Sequence, residues 1–406
     1  MKQKFTAPML APKYVTQFRC SGGDCPDTCC MGWTISIDKD TFRDYRRVTH
    51  PTLKPLIKTH LVQLDKDSIG NHGKINLDPS SSHCGLHTAQ GLCGIQQNLD
   101  EDALSDTCYT YPRTVFKVGD RFEQCLTLSC PEAARLALTL DDGFEFVTSE
   151  FTSRQATTSE LASLHGFDML AMDEIRVLCI QLFQTAELTN TDRLMLMGWL
   201  CSQLDELIAS NSQVNAIDLV NQLRELVESG GLRIAVAQLT SNPKLAANVF
   251  SILFGNPAGK GSSANQLEVV RWVTAGLGFD ANGVAEQSTL EENYSRGLTH
   301  LKTTTELIDQ TFSRYLLNEL LREVFPWGRS SPMGFYRRLL TRFGILRLML
   351  AAAAAAKNTP LDQDTVVQVT QVFCRLYQHN EQFATQADHL LTSADWDTVE
   401  RLYTLL

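Results

Sequence analysis

Nine of the 12 cysteines in this 406-residue chain lie in its first 130 residues, and four of them fall within "CSGGDCPDTCC" at 20–30. The nine are Cys20, Cys25, Cys29, Cys30, Cys84, Cys93, Cys108, Cys125 and Cys130. The other three, Cys179, Cys201 and Cys374, sit singly in amphipathic helical patterns such as Ile175, Leu178, Cys179 and Leu182, where a thiol packs as a small hydrophobe. The crowding calls for an account in which thiols bind something. Disulfides need an oxidising compartment, and the N-terminus "MKQKFTAPMLAPKYVTQF" lacks the apolar run of a secretory signal, so the chain is expected in the cytoplasm. Metal is the better account. Zinc wants two close pairs, and "HCGLHTAQGLC" (His83, Cys84, His87, Cys93) supplies half of such a site. Iron and sulfide are equally admissible, since thiolate is their ligand too.

Spacing narrows the ligand sets. Cys25 and Cys29 are separated by three residues and can converge across a turn, and Cys20 joins them if the chain turns back through Gly22 and Gly23. Neighbouring side chains point to opposite faces of a strand and diverge by about 100° on a helix, so Cys29 and Cys30 do not readily ligate one atom. One of the pair binds metal while the other packs or serves a second centre.

The fold class expected is mainly α: a small, irregular, cysteine-rich α+β N-terminal region at 1–147, followed by a multi-helix domain at 148–406. In the first part "WTISI" alternates, "KDSIGNHGK" and "LDPSSSHCG" read as loops, and "TVFKVGDRFEQCLTL" reads as a hairpin about Gly119 and Asp120. In the second, helical periodicity dominates, with N-cap residues before proline at Asn242-Pro243 and Thr359-Pro360. The apolar run "GILRLMLAAAAAA" at 344–356 is shorter than the roughly 20 residues that span a bilayer and is read as a buried helix, so no membrane partner is expected. A net charge of -10 and the lack of any Lys/Arg run argue against nucleic acid. "GNPAGKGSS" at 255–263 resembles a phosphate loop, but it has the wrong glycine spacing and no hydroxyl directly after Lys260; it reads as an interhelical linker. No dinucleotide-binding glycine fingerprint follows a strand.

With "CSGGDCPDTCCMGWTISID", "GLCGIQQNLDEDALSDTCYTYPR" and "LTLSCPEAARL" in view, the chain resembles the flagellin lysine N-methylases of the FliB type over nearly its whole length. Its N-terminal part is also similar to the cysteine-rich iron- or zinc-chelating proteins, and "RYLLNELLREVFPWG" is a weaker C-terminal echo of the methylases. The resemblance implies methyl transfer from S-adenosylmethionine to lysine ε-amino groups of flagellin by an enzyme with an iron-sulfur cluster, a 4Fe-4S type foremost. The chain departs from the C-x-x-x-C-x-x-C signature of radical enzymes: Cys25 and Cys29 fit the first spacing, but Gly32 stands where the third cysteine would be. A radical route is permitted rather than indicated, because a neutral amine can attack a sulfonium methyl directly.

Candidate site residues follow from these segments. Cys20, Cys25, Cys29, Cys30, Cys84, Cys93 and Cys108 are the candidate metal ligands. Arg113 can pair with the carboxylate of the donor, or be a solvated residue after a proline turn. Tyr109 and Tyr111 can line the lysine channel or take its proton. Asp24 and Asp27 read first as loop formers, His83 and His87 as surface histidines, Cys125 and Cys130 as structural, and Trp33 as a core anchor. The leading function is protein-lysine methylation; the alternative is a zinc-bound interaction or chaperone-like protein without catalysis.

Overall fold

The alternating "KFTAPMLAP" forms strand β1 (Lys4–Pro12), whose inward residues Met9 and Ala11 are fully buried. The computed structural model describes residues 3–68, 71–88, 90–162, 167–210, 216–229, 231, 239–255, 261–328 and 331–406. By contacts the chain divides into two compact units, one comprising Met1–Leu136, Asp141–Glu160 and Ala258–Glu268, the other Ala137–Leu140, Leu161–Pro257 and Val269–Leu406.

The first unit is built on two sheets. Beside β1 the chain forms β2 (Ile35–Ile37), β3 (Leu61–Ser68), β4 (Asn71–Ile75), β5 (Arg113–Val118), β6 (Arg121–Leu126), β7 (Phe146–Arg154) and β8 (Thr158–Leu161). The larger sheet has the order β7-β1-β6-β5-β8, the smaller β2-β4-β3. β1 runs parallel to β6 and antiparallel to β7, in a register that puts Lys4 opposite Arg154. β5 and β6 are the expected hairpin, turning where Gly119 takes a φ of 58°. Among the described residues six short helices decorate the sheets: α1 (Lys13–Gln17), α2 (Lys39–Arg46), α3 (Leu53–His60), α4 (Gly94–Asn98), α5 (Asp106–Thr110) and α6 (Pro131–Thr139). Against the smaller sheet, α2 and α3 bury Phe42, Tyr45, Leu53 and Ile57 with Ile35, Ile37 and Ile75 as one apolar core.

Helices make up the second unit: α7 (Met169–Gln184), α8 (Asn190–Ser210), α9 (Ala216–Glu228), α10 (Pro243–Phe254), α11 (Ala264–Leu277), α12 (Gln287–Lys302), α13 (Thr305–Arg322), α14 (Pro332–Lys357), α15 (Gln363–Phe373), α16 (Glu381–Ser393) and α17 (Val399–Tyr403). α14 carries the alanine run. It is long and apolar enough to cross a membrane by composition, yet 89% of its most apolar window is buried inside the protein. Alanine suits that place because it lets neighbouring backbones come close. Gly276 of α11 and Gly297 of α12 meet the backbone of α14 so tightly that a Cβ at either would stand 1.9 or 2.0 Å from the carbonyl oxygen of Ala352 or Ala351. Both partners to that clash are backbone, which yields little. Gly297→Ala is therefore expected to lower stability by about 3 kcal/mol, the upper part of the usual range for overpacking. Urea unfolding followed by circular dichroism measures it, and an unchanged midpoint would mean that α12 shifts freely.

Three sequence expectations need correction. "KDSIGNHGK" was expected to be a loop, but its described residues lie in β3 and β4, which pair with each other; the stretch is too polar to alternate. The helical pattern expected from 148 begins only at Met169, because β7 continues to Arg154 as an edge strand that alternates in burial without strong hydrophobicity. Asn242 caps α10 as expected, accepting from Leu245 N–H at 3.1 Å. Thr359-Pro360, by contrast, precedes its helix by several residues, and the cap is Asp362, which accepts from Thr365 N–H at 2.8 Å. Of the expected linker at 255–263, residues 256–260 lie outside the described residues.

Candidate functional site

The loop after α1 turns on glycine. Gly22 adopts a φ of 59°, and the turn closes with Asp24 N–H to Ser21 O at 3.2 Å and Cys25 N–H to Gly22 O at 3.3 Å. Gly22 N–H donates to Cys20 Sγ at 3.4 Å, so the reversal that Cys20 needs is present. Further on, Gly32 takes a φ of 82° and lies so close to Gly261 that a Cβ there would be 2.6 Å from its carbonyl oxygen. Trp33 is half-buried; its indole N–H donates to Cys29 O and its ring packs 5.9 Å from that of Tyr111.

Three more segments converge on this loop. Cys84 N–H donates to Cys30 O at 2.7 Å, which ties the second cysteine segment to the first. Cys93 is the N-cap of α4, and Ser105 caps α5, accepting from Cys108 N–H at 3.3 Å. Cys130 stands at the start of α6. Together they enclose a cavity of about 140 Å³ in the first unit, lined by the thiols of Cys20, Cys25, Cys29, Cys30, Cys93, Cys108 and Cys130. Phe18, Asp27, Gln96, Glu101, Tyr109, Tyr111 and Arg113 complete its wall.

The sequence candidates divide accordingly. Six of the seven candidate thiols line the cavity; Cys84 does not, being 6% exposed in the apolar core beside it. Cys130, read from sequence as structural, does line it. The available signal was "SCPEAARL", a cysteine directly before a proline-led helix, where backbone N–H groups of Glu132 and Ala133 reach the sulfur. Asp27, read as a loop former, is 2% exposed and belongs to the wall. Asp24 is exposed in the turn. His83 and His87 stack on each other at 4.7 Å outside the lining. Cys125 contacts Thr114 Oγ1 at 2.9 Å within the β5–β6 hairpin, and Cys179, Cys201 and Cys374 are fully buried in helices. None of the 12 cysteines is joined in a disulfide.

Electrostatics single out one thiol. Cys93 is drawn down to about 6, because the Cys30 thiol donates to it and the N–H groups of Gln96 and Ile95 point at its sulfur. Burial pushes three neighbours up, Cys84 to about 11 and Cys108 and Cys130 to about 12. Without a cation these sulfurs stay protonated, so binding a metal would release protons. Among the described residues no three Cys, His, Asp or Glu side chains are grouped as they would be around a single ion. The donor set nevertheless suits a thiophilic group: soft sulfur lines one enclosed space, and iron-sulfur clusters take one thiolate per iron.

Arg113, the first residue of β5, lines the cavity with its guanidinium 5.3 Å from the Phe18 ring centre. Among the described residues no carboxylate is paired with it, which leaves its fork available to one. Tyr111 Oη hydrogen-bonds Ser129 Oγ at 3.1 Å. The Tyr109 ring is occupied by cations, with the guanidinium of Arg154 3.8 Å and Lys4 Nζ 5.3 Å from its centre. The arrangement can bind a thiophilic metal group next to an anion-binding arginine and two phenols, in a space partly shielded from water.

Comparison with known proteins adds to this geometry. Residues 176–405 match the family described as the FliB lysine N-methylase C-terminal domain. The chain is 22% identical over 405 residues to the lysine-N-methylase of Salmonella typhimurium (strain LT2), covering 97% of this chain and 98% of that protein. Identity and coverage are the same for the lysine-N-methylase of Salmonella choleraesuis. It is 31% identical over 145 residues to the flagellar biosynthetic protein FliU of Salmonella muenchen, covering 36% of this chain and 85% of that one. No solved structure matches.

Proposed function

The chain belongs to the FliB lysine N-methylase family, and from that premise we propose that it transfers methyl groups from S-adenosylmethionine to lysine side chains of flagellin, at the thiol-lined cavity of its first unit. The observation that carries the reading is the meeting of seven thiols, an unpaired-by-carboxylate arginine and two tyrosines around one space. In a family of methylases, membership favours an enzyme over the alternative of a zinc-bound interaction protein. The thiols also require a reducing compartment, and the cytoplasm is the one this reading assumes.

The residues divide the work. Arg113 pairs with the carboxylate of the donor and fixes the direction of its sulfonium. The apolar and aromatic wall strips water from the incoming lysine, which favours the neutral amine. That amine attacks the methyl carbon; the carbon–nitrogen bond forms as the carbon–sulfur bond breaks, leaving S-adenosylhomocysteine. The nitrogen then sheds its proton to water at the cavity mouth, directly or through the hydroxyl of Tyr109 or Tyr111, which accepts that proton as it passes its own on. An iron-sulfur cluster, when bound, would be held by Cys20, Cys25 and Cys29 and would supply Lewis-acid or redox chemistry beside the donor.

The test is titration of S-adenosylmethionine into anaerobically purified protein by calorimetry, alongside mass spectrometry of flagellin incubated with both. Flagellin is expected to gain mass in steps of one methyl group. Arg113→Ala is expected to weaken donor binding tenfold to a hundredfold, since a charge-assisted arginine-carboxylate pair in a partly dry site is worth about 2 kcal/mol. Donor affinity equal to that of the wild type would return Arg113 to the solvated reading.

A further inference from the structure

Eight cysteines surround this part of the first unit, more than one cluster takes. We propose that they form two centres, and that Cys30, Cys84, Cys93 and Cys108 make a closed four-thiolate metal site, separate from the open set Cys20, Cys25 and Cys29, beside which Cys130 lies without serving as a ligand. The inference goes beyond the methylation reading and does not depend on where the donor sits.

Packing separates the two sets. Cys84 is a member of the apolar core formed by Ile35, Ile37, Phe42, Tyr45 and Leu53, and Cys30, Cys93 and Cys108 pack against the same core. None of the other four does. Cys20 is exposed, and Cys25 and Cys29 are half-buried at the cavity. The adjacent pair falls on opposite sides of the division, with the Cys29 and Cys30 thiols in hydrogen-bond contact at the boundary. Backbone geometry binds the closed set together: Cys84 N–H donates to Cys30 O, His87 N–H to Cys84 O at 2.8 Å, and His87 bridges Cys93.

The sulfurs of the closed set are also surrounded by donors. Leu86 N–H points to Cys84, the N–H groups of Ile95 and Gln96 to Cys93, and the Ser105 hydroxyl to Cys108. Metal-bound thiolates need such donors in a dry setting, because the thiolates keep much of their negative charge. In the thiol form the four sulfurs are not drawn to one point; the Cys30 proton is shared between Cys29 and Cys93 instead. Binding replaces that proton. One divalent ion and four thiols give a tetrathiolate complex and four released protons, with no change of oxidation state. Four sulfurs and no carboxylate select zinc, or iron with or without sulfide. Closed sites of this kind hold structure, while open ones leave a coordination position for a substrate. The division therefore assigns architecture to the closed set and leaves the open set facing Arg113.

The experiment uses the full chain purified anaerobically, with iron, zinc and acid-labile sulfide measured per chain. Cys25→Ser and Cys108→Ser are each expected to lose one share of the metal, the two losses being different and additive in the double variant. Zinc lost from Cys108→Ser identifies a mononuclear site, and iron lost with sulfide a second cluster. A double variant that loses no more metal than either single variant would mean one shared centre and overturn the proposal. A second measurement does not need the closed set altered: the metal-free triple variant Cys20→Ser, Cys25→Ser, Cys29→Ser is titrated with Cd²⁺. It should bind about one equivalent with thiolate-to-metal absorption, and the absence of that band would equally overturn the assignment. Failure of donor binding with two metal centres intact would count against the methylation reading alone.

Discussion

Glu319→Gln is expected to destabilise the protein by about 3–5 kcal/mol, the range for breaking a buried ion pair from one side. Glu319 is fully buried in α13 and takes hydrogen bonds from three directions. Arg322 Nε and Nη2 donate to its oxygens at 3.1 and 3.2 Å, Arg342 Nη1 donates at 2.7 Å, and Gln378 Nε2 donates as well. Arg342 also reaches Glu323 Oε1 at 2.8 Å, and Arg338 reaches its other oxygen at 3.4 Å. Neutralising Glu319 leaves Arg342, 3% exposed, short of its counter-charge. Burial by itself would push both carboxyls up; the guanidiniums of Arg322 and Arg342 overcome it, and Glu323 falls from 4.5 to about 2. A depressed carboxyl adds stability above its unfolded value and loses it as pH drops through its folded value. The Glu323 share, about 3 kcal/mol, is thus fully present above pH 4.5 and disappears progressively between about 4.5 and 2. Thermal unfolding measured from pH 7 to pH 3 should fall more steeply for the wild type than for Glu323→Gln. Parallel curves, or a Glu319→Gln midpoint within 1 °C of the wild type, would show that the network is dispensable.

This network explains a motif that sequence reading could only match. "RYLLNELLREVFPWG" supplied a family echo, but its charges have no visible reason within one helix. Their partners are remote: Arg342 comes from α14 and Gln378 from the π turn that follows α15. Period and spacing reveal which face of α13 is apolar, not which distant helix returns a charge to it. The same limit shaped the candidate site. Cys20, Cys25 and Cys29 were legible because they are local and glycine lets the loop reverse. Cys130 was not, since its place at the cavity depends on how α6 approaches the cysteine loop. Cys84 shows the opposite case: its proximity to Cys30 is a backbone hydrogen bond between segments more than 50 residues apart, and its side chain faces the core rather than the cavity. The helical unit was legible as a class because its long apolar periods are local signals. The strand β7 was not, because an edge strand alternates weakly.

Arg154→Met is expected to cost about 4 kcal/mol in the first unit and to loosen the wall of the cavity. Arg154 closes β7 opposite Lys4 and is 1% exposed, an unusual place for a guanidinium. It is held there by what it holds. Nη1 donates to Leu104 O at 2.8 Å and to Asp106 Oδ1 at 2.9 Å, and Nη2 to Asp102 O at 2.9 Å. Its guanidinium carbon also stands 3.8 Å from the centre of the Tyr109 ring. One side chain thereby fixes the segment that enters α5 and presents Cys108 and Tyr109 to the cavity. Methionine keeps the length and removes every donor, so two carbonyls lose their partner and Asp106 loses its counter-charge, at about 1–3 kcal/mol each. Lysine restores the charge, but a single ammonium cannot reproduce a planar fork that serves three acceptors, so Arg154→Lys should fall between the two. Unfolding midpoints give the stability; the rate at which iodoacetamide alkylates Cys108 in the native protein, read by peptide mass spectrometry, gives the state of the wall. A structural role elsewhere would lower the midpoint and leave that rate alone. Faster alkylation in Arg154→Met, partly reversed in Arg154→Lys, is the result that ties the buried arginine to the thiol cavity.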